Sequence, residues 1–177
     1  MDFPTLSHPQ SVANLTGMNY EVLLKYYGDS LAAIEKLMAD VPDERLAEQP
    51  AGLRNHPAWT LMHLCVGNDF CLQSVARAPV CPPDWGALAA PGSQPKPERS
   101  AYPSKDTLLQ TLQKQHVLVA EGVRAAPPGH FDLPAPERVR SFAATLGHIV
   151  AYMLAAHENN HLGQLQAWKR VAGLGKA

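Results

Sequence analysis

The sequence holds no segment of useful length in which apolar and polar residues alternate, so nothing in it reads as a half-buried strand. It has no stretch of eighteen uninterrupted apolar residues, so no membrane span is expected. The most apolar stretch, Phe142 to Ala156, carries His148 and reads as a buried helix. Basic excess is also missing: the net charge is −1 with 18% charged residues, which leaves no electrostatic case for a nucleic-acid partner. Cysteine is scarce. Cys65, Cys71 and Cys81 form no CxxC pair, and an odd number without paired spacing favours reduced thiols and a cytoplasmic setting. Cys65 and Cys71 fall in a helical, apolar segment and read as small core residues. The opening Met1-Asp2-Phe3-Pro4 has no basic run followed by an apolar one, so no secretory signal is expected.

What is present is helical periodicity broken by proline. The 177 residues, 46% of them hydrophobic, suffice for one domain with a full core, taken here as residues 1–177. A first helix is expected over residues 19–39, with Leu23, Leu24, Tyr27, Leu31, Ile34 and Leu37/Met38 at helical spacing, after a short turn at about residues 9–16. Pro42 and Pro50 bracket the next connection. A second helix runs from Pro57 to Arg77, proline suiting its first turn, with Trp59, His63, Val66 and Phe70 as its inward stripe. Residues 79–103 contain prolines at 79, 82, 83, 91, 95, 97 and 103. That stretch is expected to be neither helix nor central strand, but a long ordered crossover or a mobile flap. A third helix follows the N-cap Ser104 and reaches Ala125, its stripe being Leu109, Leu112, His116, Val119 and Val123. After a connection holding Pro127, Pro128, Pro134 and Pro136, a fourth helix is expected from Ser141 to Ala172. Gly173 reads as its C-cap, with Lys169 and Arg170 in its last turn. The sum is an all-α four-helix bundle whose long crossover lets the second and third helices run the same way.

Histidine placement carries the chemistry. His157 and His161 lie four residues apart in His157-Glu158-Asn159-Asn160-His161-Leu162-Gly163-Gln164. On a helix that spacing turns two side chains by only about 40° from each other. Both continue the stripe Phe142, Leu146, Val150, Met153, so both are expected to point inward. Two imidazoles so placed can reach one metal ion at about 2.0–2.1 Å. His63 is the better source of a third ligand; His116 competes, since it too lies on a helix stripe. Three histidines on two helices leave coordination positions open, as in catalytic sites. His148, about 180° around the helix from His157, is excluded, and His8, His56 and His130 sit in or beside loops.

Of two further motif readings, one is weakened by spacing and the other fails on it. His157-Glu158-x-x-His161 is a literal HExxH, the zinc-peptidase signature, in which the glutamate would be a general base. No His, Glu or Asp follows His161 to complete it, and the extended form finds Gln164 and Ala167 in place of Gly and His. Glu158-x-x-His161 also fits half a di-iron bundle site, but no second such element exists: Glu98, Glu121 and Glu137 are followed three residues later by Ala101, Arg124 and Arg140.

Asn55-His56-Pro57-Ala58-Trp59-Thr60-Leu61-Met62-His63-Leu64 together with His157-Glu158-Asn159-Asn160-His161-Leu162-Gly163-Gln164-Leu165 resembles the DinB-like (DinB/YfiT) superfamily. Helix order and the long middle connection extend the resemblance over nearly the whole chain. It implies a metal held by His63, His157 and His161 with water completing the sphere, and His116 outside it. It also implies a small-molecule substrate, a homodimer, and a reaction of the kind some members perform, thiol-dependent S-transfer or isomerisation with a low-molecular-weight thiol. The rival readings are a non-catalytic metal-binding or dimerisation module and an HExxH-type hydrolase. Imidazole suits Zn, Ni, Fe and Cu alike, so the divalent ion is not named. Glu158, about 100° around from His157, is expected to be solvated, its other roles being support of a ligand or a base. Gly67, one turn after His63, is read as a packing glycine. No convincing nucleophile appears in the chain: Cys65 lies about 200° around the helix from His63, and Cys81 is in the proline-rich connection.

Overall fold

Asn19 begins the first helix: its side-chain oxygen accepts from the backbone N–H groups of Glu21 and Val22, and α1 runs Tyr20–Met38. The computed structural model describes residues 18–175, so His8 and the turn expected near residues 9–16 lie outside the described residues. Five more helices follow: α2 (Pro57–Ser74), α3 (Trp85–Ala89), α4 (Lys105–Ala125), α5 (Leu146–Tyr152) and α6 (Glu158–Val171). A π-helical turn, Met153–His157, joins α5 to α6 without a break, so the two form one rod. No strand occurs among the described residues, only an isolated bridge between Pro134 and Thr145.

Side-chain pairings fix the helix directions. Cys65 Sγ donates to Leu108 O, Gln115 Nε2 to Cys65 O, and Val75 packs on Gly122, so α2 and α4 ascend together. Ser30 meets Glu158 and Leu37 meets Lys169, so α1 and α6 are also parallel. Against these, Arg124 pairs with Glu21 while Gln113 pairs with Glu35, and Asn55 meets Gln164 while Gly67 meets His157. The bundle is therefore up-down-down-up, with α1, α4, α2 and α6 in a ring. The long connection between α2 and α4 makes that order possible.

Four expectations need correction. First, α2 has no single inward stripe. Ala58, Trp59, Leu61, Met62, Leu64 and Cys65 are all buried, because α3 and the crossover cover the side that the bundle leaves open. Val66 and Phe70 are its less buried apolar residues. Second, α2 stops at Ser74 and not Arg77. Arg77 N–H reaches Leu72 O and Ala76 N–H reaches Gln73 O, with Ala76 at φ 56°. This closes the helix with alanine in a place that usually calls for glycine, so no sequence signal marks it. Third, residues 79–103 do contain a helix: α3 occupies the proline-free window between Pro83 and Pro91, and it buries Trp85 and Ala89. The crossover is ordered. Asp69 accepts from Val80 N–H and Cys81 N–H, Lys96 N–H donates to the Tyr102 hydroxyl, and Arg99 pairs with Asp43. Fourth, the last long helix begins at Leu146, capped by Thr145, which accepts from His148 N–H. Ala135 N–H bonds Ala144 O and Leu146 N–H bonds Leu133 O, which keeps the preceding residues extended. Phe142 therefore lies before the helix and is 58% exposed.

The caps at Ser104 and Gly173 form as expected. Ser104 Oγ accepts from Thr107 N–H. At Gly173, φ 72°, the N–H of Leu174 reaches Lys169 O and that of Gly173 reaches Arg170 O, the paired bonds that end a helix on a left-handed residue. Cys65 and Cys71 are buried core residues, and all three cysteines are free thiols. No helix among the described residues is long and apolar enough to cross a membrane.

Candidate metal centre

His63 reaches its position from α2, whose first turn is set by His56. The His56 Nδ1 accepts from Trp59 N–H, and its Nε2–H donates to Lys96 O. A histidine read from sequence as a loop residue is thus the buried N-cap of the helix that presents His63. The ring of His63 lies parallel to Trp59, 4.8 Å between centroids, and its Nδ1 is 2.7 Å from Ala89 O on α3. A carbonyl only accepts, so Nδ1 carries the proton and Nε2 keeps its lone pair.

His157 and His161 come from the other side of the seam, in the π turn and in α6. His157 Nε2 stands 3.3 Å from His63 Nε2, and one ring nitrogen from each of the three histidines lies within 4.8 Å of the others. His161 Nδ1–H donates to Gln164 Oε1 at 3.1 Å, which also accepts from Asn55 Nδ2 at 3.3 Å. This gives Asn55 and Gln164 a function that spacing alone did not show: they fix the tautomer of His161, as Ala89 O fixes that of His63. His157 Nδ1 is buried without a partner. Gly67 is where it is because of His157. A Cβ there would lie 2.7 Å from His157 Cε1, too close for either to stay in place.

Burial keeps these rings neutral. It pushes His157 down to about 3, with the charges of His161 and His63 adding to it. It pushes His161 down to about 4, with His63 adding. His63 is lowered by burial too. Each neutral ring carries one N–H: those of His63 and His161 go to Ala89 O and Gln164 Oε1, while the one hydrogen-bond partner of the His157 ring is His63 Nε2, its Nδ1 having none. Two nitrogens bound to one tetrahedral ion at about 2.0–2.1 Å would stand about 3.3–3.4 Å apart, the separation found between His63 and His157. The donor set therefore fits a divalent cation.

His116 stays apart from this cluster. It stacks on Tyr27, 3.5 Å between centroids and 7° from parallel, and its Nε2 lies 2.8 Å from Glu158 Oε1. Glu158 corrects the expectation of a solvated side chain, being 1% exposed. Its carboxylate accepts from Ser30 Oγ of α1 at 2.6 Å, Asn68 Nδ2 of α2 at 3.0 Å and His116 of α4. The bundle axis runs through Glu158, and the histidines beside it face the α2 seam. Sequence periodicity missed this because the π turn adds a residue to the turn and brings two neighbouring positions inward. His148 lies in the first turn of α5 with its Nδ1 3.0 Å from the Oγ1 of the cap residue Thr145, and His130 donates to Ser74 O.

The three histidines open onto a cleft of about 800 Å³. The crossover forms one wall with Cys81, Pro82 and Gly86; Val66 and Phe70 of α2, and Arg138, Val139 and Phe142 of the loop before α5, form others. Cys81, read from sequence only as a connection residue, is on that wall. Cys65 and Cys71 are not reactive thiols, since burial pushes Cys65 well up and Cys71 up to about 12.

An up-down-down-up bundle with imidazoles converging from its second and last long helices, beside an apolar cleft, defines a class of protein by fold and site. The chain belongs to the DinB superfamily, whose family model matches residues 27–165. That span holds His63, His157 and His161. No curated protein and no solved structure matches the chain.

Proposed function

We propose that the protein is a cytoplasmic, single-domain, metal-dependent enzyme that transfers a small thiol to an electrophilic small molecule in the cleft. His63, His157 and His161 hold a divalent ion. The observation that carries this is the convergence of three neutral imidazoles, two buried and one half-buried, with two nitrogens at the edge length of a tetrahedral site. An ion bound there supplies Lewis acidity, which lowers the pKa of an incoming thiol or water. The chain contributes orientation and exclusion of water. Ala89 O and the Gln164–Asn55 pair hold two rings in their binding tautomers, while Trp59 keeps His63 flat against α2. Val66, Phe70, Phe142 and Tyr152 give the electrophile an apolar bed.

The hydrolase reading has less support. A general base must reach the water it activates. The Glu158 carboxylate is instead engaged by Ser30, Asn68 and His116 at the bundle axis. The thiol is expected to come from solution, because Cys65 and Cys71 are buried and protonated. The test is an assay of metal-loaded protein with electrophilic acceptors and a panel of small thiols, repeated with Cys81→Ser. Turnover that needs metal and added thiol and survives Cys81→Ser supports the proposal. Turnover with metal and water alone would favour hydrolysis. No turnover at full metal occupancy would favour a binding or dimerisation module.

A further inference from the structure

The cleft has one charge on its wall without an ionic partner among the described residues. Of the two formally charged residues lining it, Asp69 is engaged: its oxygens accept from Val80 N–H, Cys81 N–H and Gln115 Nε2. Arg138 is not. Its guanidinium carbon sits 4.7 Å from the centre of the Phe70 ring, and among the described residues no carboxylate pairs with it. A guanidinium against an aromatic face is held by the ring's quadrupole while its in-plane N–H donors stay available. The rest of the wall near it is apolar, from Val66, Phe70, Val139 and Phe142.

We infer that the cleft takes a small organic anion, with its apolar or aromatic body on Phe70 and Phe142 and its carboxylate, sulfonate or phosphate on Arg138. This names the substrate class of the same cleft and rests on the proposal that the cleft is the reaction site. Geometry sets the spacing of the two ends. Phe70 lies seven residues beyond His63 on α2, about 10 Å of helix rise, and three beyond Gly67, about 4.5 Å. His157 packs at the level of Gly67. The anionic group therefore binds about 5–10 Å along α2 from the imidazoles, which leaves room for roughly one ring between the anion and the reacting atom. Arg138 selects the substrate and holds it; it is not assigned a part in the bond-making step.

The experiment needs no metal and no turnover. Chelator-treated protein is titrated with 8-anilinonaphthalene-1-sulfonate and, separately, with the uncharged N-phenyl-1-naphthylamine, reading the fluorescence of each. Arg138 is exposed, so Arg138→Gln should leave the fold unchanged, as circular dichroism will report. The expected result is that Arg138→Gln weakens the sulfonate about tenfold and the neutral probe less than about twofold, the loss expected of one charge-assisted contact. Val66→Trp, which fills the cleft, should weaken both probes. Equal sulfonate affinity in wild type and Arg138→Gln, equal weakening of both probes by Arg138→Gln, no sulfonate binding by wild type, or sulfonate binding undiminished in a folded Val66→Trp variant would each overturn the inference. Elemental analysis of the same samples before chelation separates this from the metal proposal. Charge-selective binding in a protein that never holds metal would sink that proposal and leave this one standing.

Discussion

Two buried polar clusters sit back to back where the last long helix passes through its π turn, and consecutive residues lead into them. His157 turns toward the α2 seam, where it meets His63 and His161. Glu158 turns toward the bundle axis, where it meets Ser30, Asn68 and His116. The second cluster is bound internally: a carboxylate with three donors, one from each of the other long helices. In the first, Ala89 O and Gln164 take the protons of His63 and His161, which leaves their other nitrogens facing His157, a ring that has no hydrogen-bond partner outside the cluster. A cluster of the second kind holds helices in place. A cluster of the first kind is costly unless a cation from outside completes it. Depth alone does not tell them apart, because His63, His116, His157 and Glu158 are all buried. The direction of the lone pairs does.

The largest effect expected from this contrast is on stability. Glu158→Ala leaves Ser30, Asn68 and His116 without their shared acceptor, and each buried donor left unsatisfied costs about 1–3 kcal/mol. His161→Ala in metal-free protein removes a group that pairs only with Gln164 beside the cleft, and should cost less than about 1.5 kcal/mol. Urea denaturation of the two variants measures both. Equal losses would mean that the clusters do the same work.

Much of this was legible from residue spacing. Helix order, the parallel α2 and α4, the caps at Ser104 and Gly173, and the meeting of His63 with His157 and His161 all follow from periodicity, proline placement and the resemblance of two motifs. What was not legible has particular causes. Periodicity placed Glu158 off the inward face because it assumes a constant turn, and the π turn at Met153–His157 breaks that assumption. The proline count hid α3, which fits between Pro83 and Pro91 and supplies the Ala89 carbonyl. The roles of Asn55, Gln164 and Ala89 depend on which atoms meet across helices, and no one-dimensional pattern encodes that. Gln115 was likewise missed: it is buried on α4, where it donates to Cys65 O and Asp69.

The next effects concern the histidine cluster alone. Bound metal should stabilise the fold by about 2.7 kcal/mol at a hundredfold excess over Kd. The apo protein should still fold, since two apolar clusters span the bundle without the ion. Thermal melts with and without chelator check this; complete unfolding by chelator at room temperature would make the site structural. Smaller again is the effect of Gln164→Leu, which frees the His161 ring while keeping its nitrogen. Loss of such an orienting partner typically costs 10–100-fold in metal affinity, about 1.4–2.8 kcal/mol. Isothermal titration with Zn²⁺ reads it, with the melting behaviour of the apo protein expected to change little.

The smallest expected effect is on pH. Burial lowers the folded values of His157 and His161 to about 3 and about 4, below the ordinary 6.5. The unfolded chain therefore binds more protons than the folded chain once the pH drops below 6.5. Stability of the apo protein should be full above that value and fall as pH drops toward the folded values. Between pH 7.5 and 6 the loss should be under about 1 kcal/mol for each histidine. A triple His63/His157/His161→Ala variant should lose most of this dependence in urea melts. If it keeps the same slope, other groups are responsible.

The most direct measurement is anomalous diffraction across metal absorption edges, on crystals of protein purified without a metal-affinity column. The account predicts one peak in the seam between α2 and α6, about 2.0–2.1 Å from one ring nitrogen each of His63, His157 and His161, with none at His116 and Glu158. A peak at the His116–Glu158 cluster, or no peak in protein soaked with Zn²⁺ and Ni²⁺, would contradict it.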